Sequence, residues 1–184
     1  MKATLVFLDE SGLLMAPLVR RTWAPSGQTP LLLQKTRSTE KVSAIAALTG
    51  SPVRHRVGLY VSLLSNRNVR TAEMRRYLAT LRRHIRGPIV LIWDRLNVHR
   101  AKALTLWMAK QRGMQAIFLP PYAPDLNPVE LFWSYLKYHR LANYAARTVT
   151  ALSITARRHV RFTARRQSLL RSFIRGTPLS SCLD

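Results

Sequence analysis

The chain has 184 residues, 47% of them hydrophobic, and thirty Lys plus Arg against eight Asp plus Glu give a net charge of +22. That length suits one domain with a real core, and that apolar content excludes a disordered chain. The charge points to a polyanion, nucleic acid before membrane. No run approaches the ~18 apolar residues of a membrane span, and the N-terminus lacks a signal-peptide pattern. Cys182 stands alone, so the sequence excludes disulfides and thiolate zinc sites within the chain, and a reducing cytosol is compatible.

Residues 3–8 read as a first strand that ends at Asp9, with Glu10-Ser11-Gly12 beginning a turn. From Leu13 to Leu33, strand-like pieces flank the Pro- and Gly-bearing stretch Trp23 to Pro30, which predicts a loop between hairpin arms. The polar segment Thr36 to Lys41 follows. Val42 to Leu48 and Val57 to Leu64 read as two further strands joined at Thr49-Gly50-Ser51-Pro52, which completes an antiparallel meander. Thr71 is a plausible N-cap for a helix that repeats Met74, Leu78, Leu81 and Ile85 on one face and carries Arg75, Arg76, Arg82 and Arg83 on the other. Gly87-Pro88 closes that helix, and Ile89 to Trp93 reads as a strand that ends at Asp94. After the loop Arg95-Leu96-Asn97-Val98, a second helix is predicted from His99 to Gln111, then a short strand from Met114 to Leu119.

The stretch from Leu119 to Lys137 organises the rest. Pro120, Pro121 and Pro124 keep the approach extended, Asn127 suits an N-cap, and Pro128 suits the first helical position, where a missing N–H costs nothing. Val129, Phe132, Trp133 and Leu136 recur at helical spacing, with Glu130 at the edge of that apolar face. The order strand-strand-strand-helix-strand-helix-strand-helix predicts a mixed α/β sheet.

Taken alone, Glu130 reads as a capping-box residue three positions after Asn127. Asp9 and Asp94 change that reading. Each follows a continuous apolar run of the kind buried on both faces among parallel neighbours, and each is one of only eight acids in a strongly basic chain. Two strand ends delivering Asp and one helix delivering Glu make a three-carboxylate cluster. Past Lys137 the character shifts: no acid occurs between Glu130 and Asp184, while Arg157, Arg158, Arg161, Arg165, Arg166, Arg171 and Arg175 accumulate around a helical apolar pattern. Such a surface tracks phosphates, each neutralised phosphate releasing counterions. The predicted organisation is a domain over residues 1–145 followed by a basic helical tail over 146–184.

Three blocks, Phe7 to Gly12, Leu91 to Arg100 and Leu119 to Glu130, together with Arg21 to Pro30, carry a family likeness. The chain resembles the DDE transposases of the mariner superfamily, in particular the bacterial insertion-sequence branch. That resemblance implies a ribonuclease H-like fold and matches Asp9, Asp94 and Glu130 to the metal-binding catalytic triad, with 35 residues between the last two. Arg95 departs from the Asn common after the second Asp, and Ser26 departs from a common basic residue. Also implied are two Mg²⁺ ions, with Mn²⁺ as a substitute, and double-stranded DNA as partner, both transposon ends and target. A homodimer at work on paired ends in a bacterial cytoplasm, associated with the nucleoid, completes the family picture.

The expected chemistry is phosphoryl transfer: water cuts at the element's end and the freed 3′-hydroxyl attacks target DNA. His99 is expected to start a helix or touch a phosphate rather than act as general base. Asp125 is expected to cap the helix of Glu130, and Glu10 to lie across the strand from Asp9. Because the first strand begins almost at Met1, a separate helix-turn-helix chain is expected to supply end recognition, the present chain being a catalytic half or a truncated copy. Two alternatives stand beside this: a catalytically inactive, basic DNA-binding remnant, and another ribonuclease H-like nuclease.

Overall fold

The apolar run that opens the chain becomes the central strand of a five-stranded sheet. The computed structural model describes residues 3–33, 40–51, 56–96 and 98–179. Its strands are β1 (Thr4–Leu14), β2 (Lys41–Gly50), β3 (Val57–Ser65), β4 (Ile89–Trp93) and β5 (Met114–Phe118), in the order β3-β2-β1-β4-β5. The first three pair antiparallel, and β4 and β5 join in parallel. Helices α1 (Thr71–His84), α2 (Lys102–Ala109) and α3 (Pro128–Tyr135) intervene in the predicted order, and α4 (Val149–Ala164) and α5 (Gln167–Arg175) follow.

Period-two alternation sorts the side chains of β1 and β2 onto two faces. Val6, Leu8, Ile45 and Ala47 pack with Met74, Leu78 and Leu81 of α1 and with Leu104 of α2. Phe7, Ala44, Ala46 and Leu48 pack with Phe132 and Trp133 of α3, Leu152 and Ala156 of α4, and Leu170 and Phe173 of α5. The basic segment thus buries one side in the same core and turns its arginines outward.

Several boundaries differ from expectation, each for a tertiary reason. Glu10-Ser11-Gly12 forms no turn: β1 continues to Leu14 because β2 pairs with it throughout, Glu10 opposite Ile45 and Gly12 opposite Ser43. The parallel ladder with β4 ends at Phe7 opposite Ile92, so Asp9 marks the end of that pairing and not of the strand. The hairpin arms predicted between Leu13 and Leu33 do not form. Both edges of β1 are already taken by β2 and β4, and residues 17–33 run without strand pairing, with Trp23, Leu31 and Leu33 exposed. Asn143 pins this run, accepting from the Arg20 N–H at 2.7 Å and donating to the Arg20 carbonyl at 2.9 Å.

Thr49 and Gly50 remain in β2 rather than turning, and Pro52 lies outside the described residues, as does most of the polar segment before Lys41. Thr71 is the first residue of α1, whose cap position is Arg70 with no side-chain cap. The second helix starts at Lys102, three residues after His99. Pro124 opens a single 3₁₀ turn, Pro124–Leu126, so the approach to α3 is not extended throughout.

Candidate active site

Alternation along β1 sends Asp9 to the α3 face and Glu10 to the face of α1 and α2. Asp9 is buried, 6% exposed, and its Oδ2 accepts from the indole N–H of Trp133 at 2.9 Å. The start of α3 is fixed against the same strand by Asn127. Its Oδ1 accepts from the Val129 N–H at 3.2 Å, as an N-cap does, while its side-chain amide donates to the Leu8 carbonyl at 3.1 Å. Glu130 follows in the first helical turn, exposed at the edge of the buried face. A capping box requires the Asn127 N–H for Glu130, but that N–H donates to the Pro124 carbonyl at 2.8 Å. The cap is therefore Asn127 alone, and Asp125, exposed in the 3₁₀ turn, does not take that role.

Asp94 sits half-buried just past β4, where its Oδ1 accepts from the Leu96 N–H at 3.1 Å and pairs with Nδ1 of His99 at 2.7 Å, a nitrogen that also meets the Asp94 carbonyl at 3.1 Å. These bonds outweigh burial and hold its carboxyl below the usual aspartate value. Asp9 behaves in the opposite way. Burial, followed by the negative charges of Glu130, Glu10 and Asp94, pushes its pKa from 3.8 up to about 8. Carboxylates from β1, the end of β4 and the first turn of α3 are thus brought within electrostatic reach of Asp9.

His99 does not start a helix, and its burial leaves the ring no open surface. It is 1% exposed in the turn before α2, stacked on Trp93 with ring centroids 4.3 Å apart and planes 10° from parallel. Its Nε2 meets Oε1 of Glu10 at 2.7 Å, on the side of the sheet away from Asp9. Burial opposes its charge, but the hydrogen bonds with Asp94 and Glu10 win and raise its pKa from 6.5 to about 9.

The contacts of His99 and Trp133 were not read from the sequence. A signal existed for both: a carboxylate placed on an apolar face needs a partner, and a buried indole N–H needs an acceptor. Arg95, the departure after Asp94, is exposed, as is Ser26 in its turn.

An all-carboxylate donor set suits hard divalent cations such as Mg²⁺, and a buried, repelled carboxyl such as Asp9 is the group a cation relieves. Among the described residues no three His, Cys, Asp or Glu side chains close on one point that could hold an ion. Ions here would take the carboxylates in pairs and fill their remaining positions from solvent or substrate oxygens, as Mg²⁺ does elsewhere.

Away from this end of the sheet, α4 packs over the edge strand β3, and Arg157, Arg158, Arg161, Arg165, Arg166, Arg171 and Arg175 are all exposed. Phe162 lies between Arg140 and Arg166, whose guanidinium carbons stand 4.6 and 3.9 Å from its ring centre. Among the described residues no helix is long and apolar enough to cross a membrane.

Residues 4–153 match the family described as DDE superfamily endonuclease. The fold is similar to that of the Mos1 mariner paired end complex with Mn, with a TM-score of 0.64 and 19% identity over 94% of this chain and 51% of that one. A pre-cleavage Mos1 transpososome gives 0.65 and 19% over the same shares. The catalytic domain of Mos1 mariner transposase gives 0.60 and 17% over 94% of this chain and 74% of that one. The chain therefore spans about half the length of the two longer Mos1 chains. At these identities the likeness establishes the fold, a ribonuclease H-like mixed sheet flanked by helices. A comparison with curated proteins finds no match.

Proposed function

The chain belongs to the DDE superfamily endonucleases, and from that premise we propose that it is the catalytic domain of a mariner-type transposase of the bacterial insertion-sequence branch. It cuts DNA at transposon ends and joins the freed 3′ end to target DNA. The observation that carries this reading is the placement of buried Asp9 on β1 against Trp133 of α3, with Glu130 in the first turn of that helix and Asp94 just past the end of neighbouring β4. Asp9, Asp94 and Glu130 are the catalytic residues and would hold two Mg²⁺ ions, for which Mn²⁺ would substitute. When bound, such a pair would lower the pKa of an attacking water or hydroxyl and neutralise charge on the leaving oxygen.

The protein's own part is to hold the three carboxylates in place against their mutual repulsion and to fix the DNA. Asp9, buried and repelled by Glu130 and Asp94, is the carboxylate that a bound cation would relieve. In the first step a water oxygen bonds to phosphorus, the P–O3′ bond breaks, and the 3′ oxygen leaves as a hydroxyl. In the second, that hydroxyl attacks a target phosphorus, loses its proton to solvent, and displaces the target's own 3′ oxygen. The exposed arginines of α4 and α5 hold phosphates during both steps. Two copies act on paired ends.

The test uses a labelled duplex carrying the element's end, a target plasmid and Mg²⁺. The wild type is expected to nick the end and form joined product, and Asp94→Asn to do neither while binding DNA as before. Nicking without joining would assign the chain to another class of nuclease. DNA binding without nicking would make it an inactive remnant.

A further inference from the structure

Side-chain partners reach the two aspartates of the candidate triad from opposite faces of the sheet, and Asp9 takes a further hydrogen bond from the Glu10 backbone. The contacts to the Asp94 carboxylate fall on Oδ1, a hydrogen bond from the Leu96 N–H at 3.1 Å and an ion pair with His99 Nδ1 at 2.7 Å, the same nitrogen also meeting the Asp94 carbonyl at 3.1 Å. Trp133, on α3, takes Oδ2 of Asp9 at 2.9 Å. An aspartate's terminal torsion is broad and nearly two-fold, so an unanchored carboxylate presents either oxygen. One donor on one oxygen removes that freedom and leaves the other oxygen defined in position.

The support behind Asp94 continues one residue further. His99 is clamped between its stack on Trp93 and its 2.7 Å contact with Glu10, which belongs to the same strand as Asp9 but the other face. This clamp is a poor way to gain stability. Oε2 of Glu10 is buried with no hydrogen-bond partner among the described residues, and burying ionic groups with incomplete satisfaction costs several kcal/mol per ion. An apolar pair of the same volume would pack the site at lower cost, so the arrangement serves orientation.

We propose that His99 and Trp133 are positioning residues that select, from opposite faces of the sheet, which oxygens of Asp94 and Asp9 are presented to divalent cations, with Glu10 holding the imidazole in register. The proposal rests on the carboxylate-triad reading. It adds that the metal geometry is set by a Glu10–His99–Asp94 relay behind the sheet and by the Trp133 indole in front of it. Packing alone predicts that replacing either ring changes stability and nothing else; the orienting role predicts a specific loss of metal affinity.

The experiment is Mn²⁺ binding to the full chain, read by the electron paramagnetic resonance of the free ion, with thermal unfolding of each variant recorded beside it. Trp133→Phe and His99→Phe keep an aromatic ring and remove the donor, and each is expected to weaken Mn²⁺ binding by about 10–100-fold, the usual effect of losing an outer-shell partner. His99→Asn places an amide N–H where Nδ1 was and is expected to recover most of the loss. Should His99→Phe fail to fold because Glu10 is left without its partner, the double variant Glu10→Gln with His99→Phe removes that charge and carries the same expectation. Asp94→Asn serves as the reference for lost metal binding. Wild-type Mn²⁺ affinity in the folded Phe variants, with affinity lost in Asp94→Asn, would overturn the orienting role and leave the triad standing. Wild-type affinity in Asp94→Asn itself would remove both.

Discussion

At the carboxylate end of the sheet, three of the chain's eight acids, Glu130, Glu10 and Asp94, bear electrostatically on a fourth, the buried Asp9. Along α4, α5 and the turn between them, seven arginines point into solvent. The first region concentrates like charge against its own repulsion and fixes it with named donors: Trp133, His99 and the Leu96 N–H. The second spreads like charge over an exposed surface, where water screens it and no single residue is irreplaceable. Geometry decides the function of the first region, and summed charge decides that of the second. The chain therefore combines one site that tolerates little change with one surface that tolerates much.

The largest effect that would test this contrast is on chemistry. Asp9→Asn or Glu130→Gln should lower Mg²⁺-dependent nicking by roughly 10³-fold or more, since bound metal supplies several kcal/mol of transition-state stabilisation and each ~1.4 kcal/mol is a decade. DNA affinity measured by anisotropy should hold. The mirror experiment replaces Arg157, Arg158 and Arg161 with Ala together. Binding should weaken, and the slope of log affinity against log salt should flatten by about 0.9 for each phosphate no longer neutralised, while nicking at saturating DNA keeps its rate. If the arginine variant lost its rate at saturation instead, the two regions would not be separable.

A third effect concerns stability without metal. Asp9 has a folded pKa raised from 3.8 to about 8, so its contribution to stability is complete below about pH 4 and lost as pH rises through 8. His99, raised from 6.5 to about 9, acts with the same sign: its contribution is complete below 6.5 and lost as pH rises through 9. The metal-free wild type should therefore melt lower at pH 8.5 than at pH 5. Asp9→Asn should shrink that difference, and Mg²⁺ should shrink it in the wild type only. The smallest effect is expected from Asn127→Ala, which removes a cap worth about 1 kcal/mol and unpairs the Leu8 carbonyl for about 1–3 more. At about 2–4 °C per kcal/mol, calorimetry will resolve it, and nicking should fall with it because α3 carries Glu130.

Local signals were sufficient for much of the fold. Ile89 to Trp93 read as a strand because a continuous apolar run after Gly and Pro suits a sheet covered on both faces, and the short strand expected from Met114 to Leu119 forms over Met114–Phe118. Asn127-Pro128 read as a helix start because capping chemistry is local, and the structure places the cap there. The extension of β1 through Glu10-Ser11-Gly12 was not legible, because those residues have turn composition and only pairing with β2 holds them extended. Strand arms were expected around Trp23 to Pro30 on composition, although both edges of β1, the strand they follow, are taken by β2 and β4.

The candidate site divides the same way. Asp9, Asp94 and Glu130 were each marked by what surrounds them in sequence. The partners of His99 and Trp133 lie 89 and 124 residues away, at Glu10 and Asp9. No spacing rule carries information over such separations, and only the face each residue takes in the folded sheet brings them together.

The most direct measurement is an anomalous difference map from crystals of the full chain soaked in Mn²⁺. The account predicts two peaks ~3.5–4 Å apart, one between Asp9 and Asp94 and the other between Asp9 and Glu130. Peaks that avoid Asp9, or Mn²⁺ bound elsewhere while the three carboxylates turn away from one another, would contradict it.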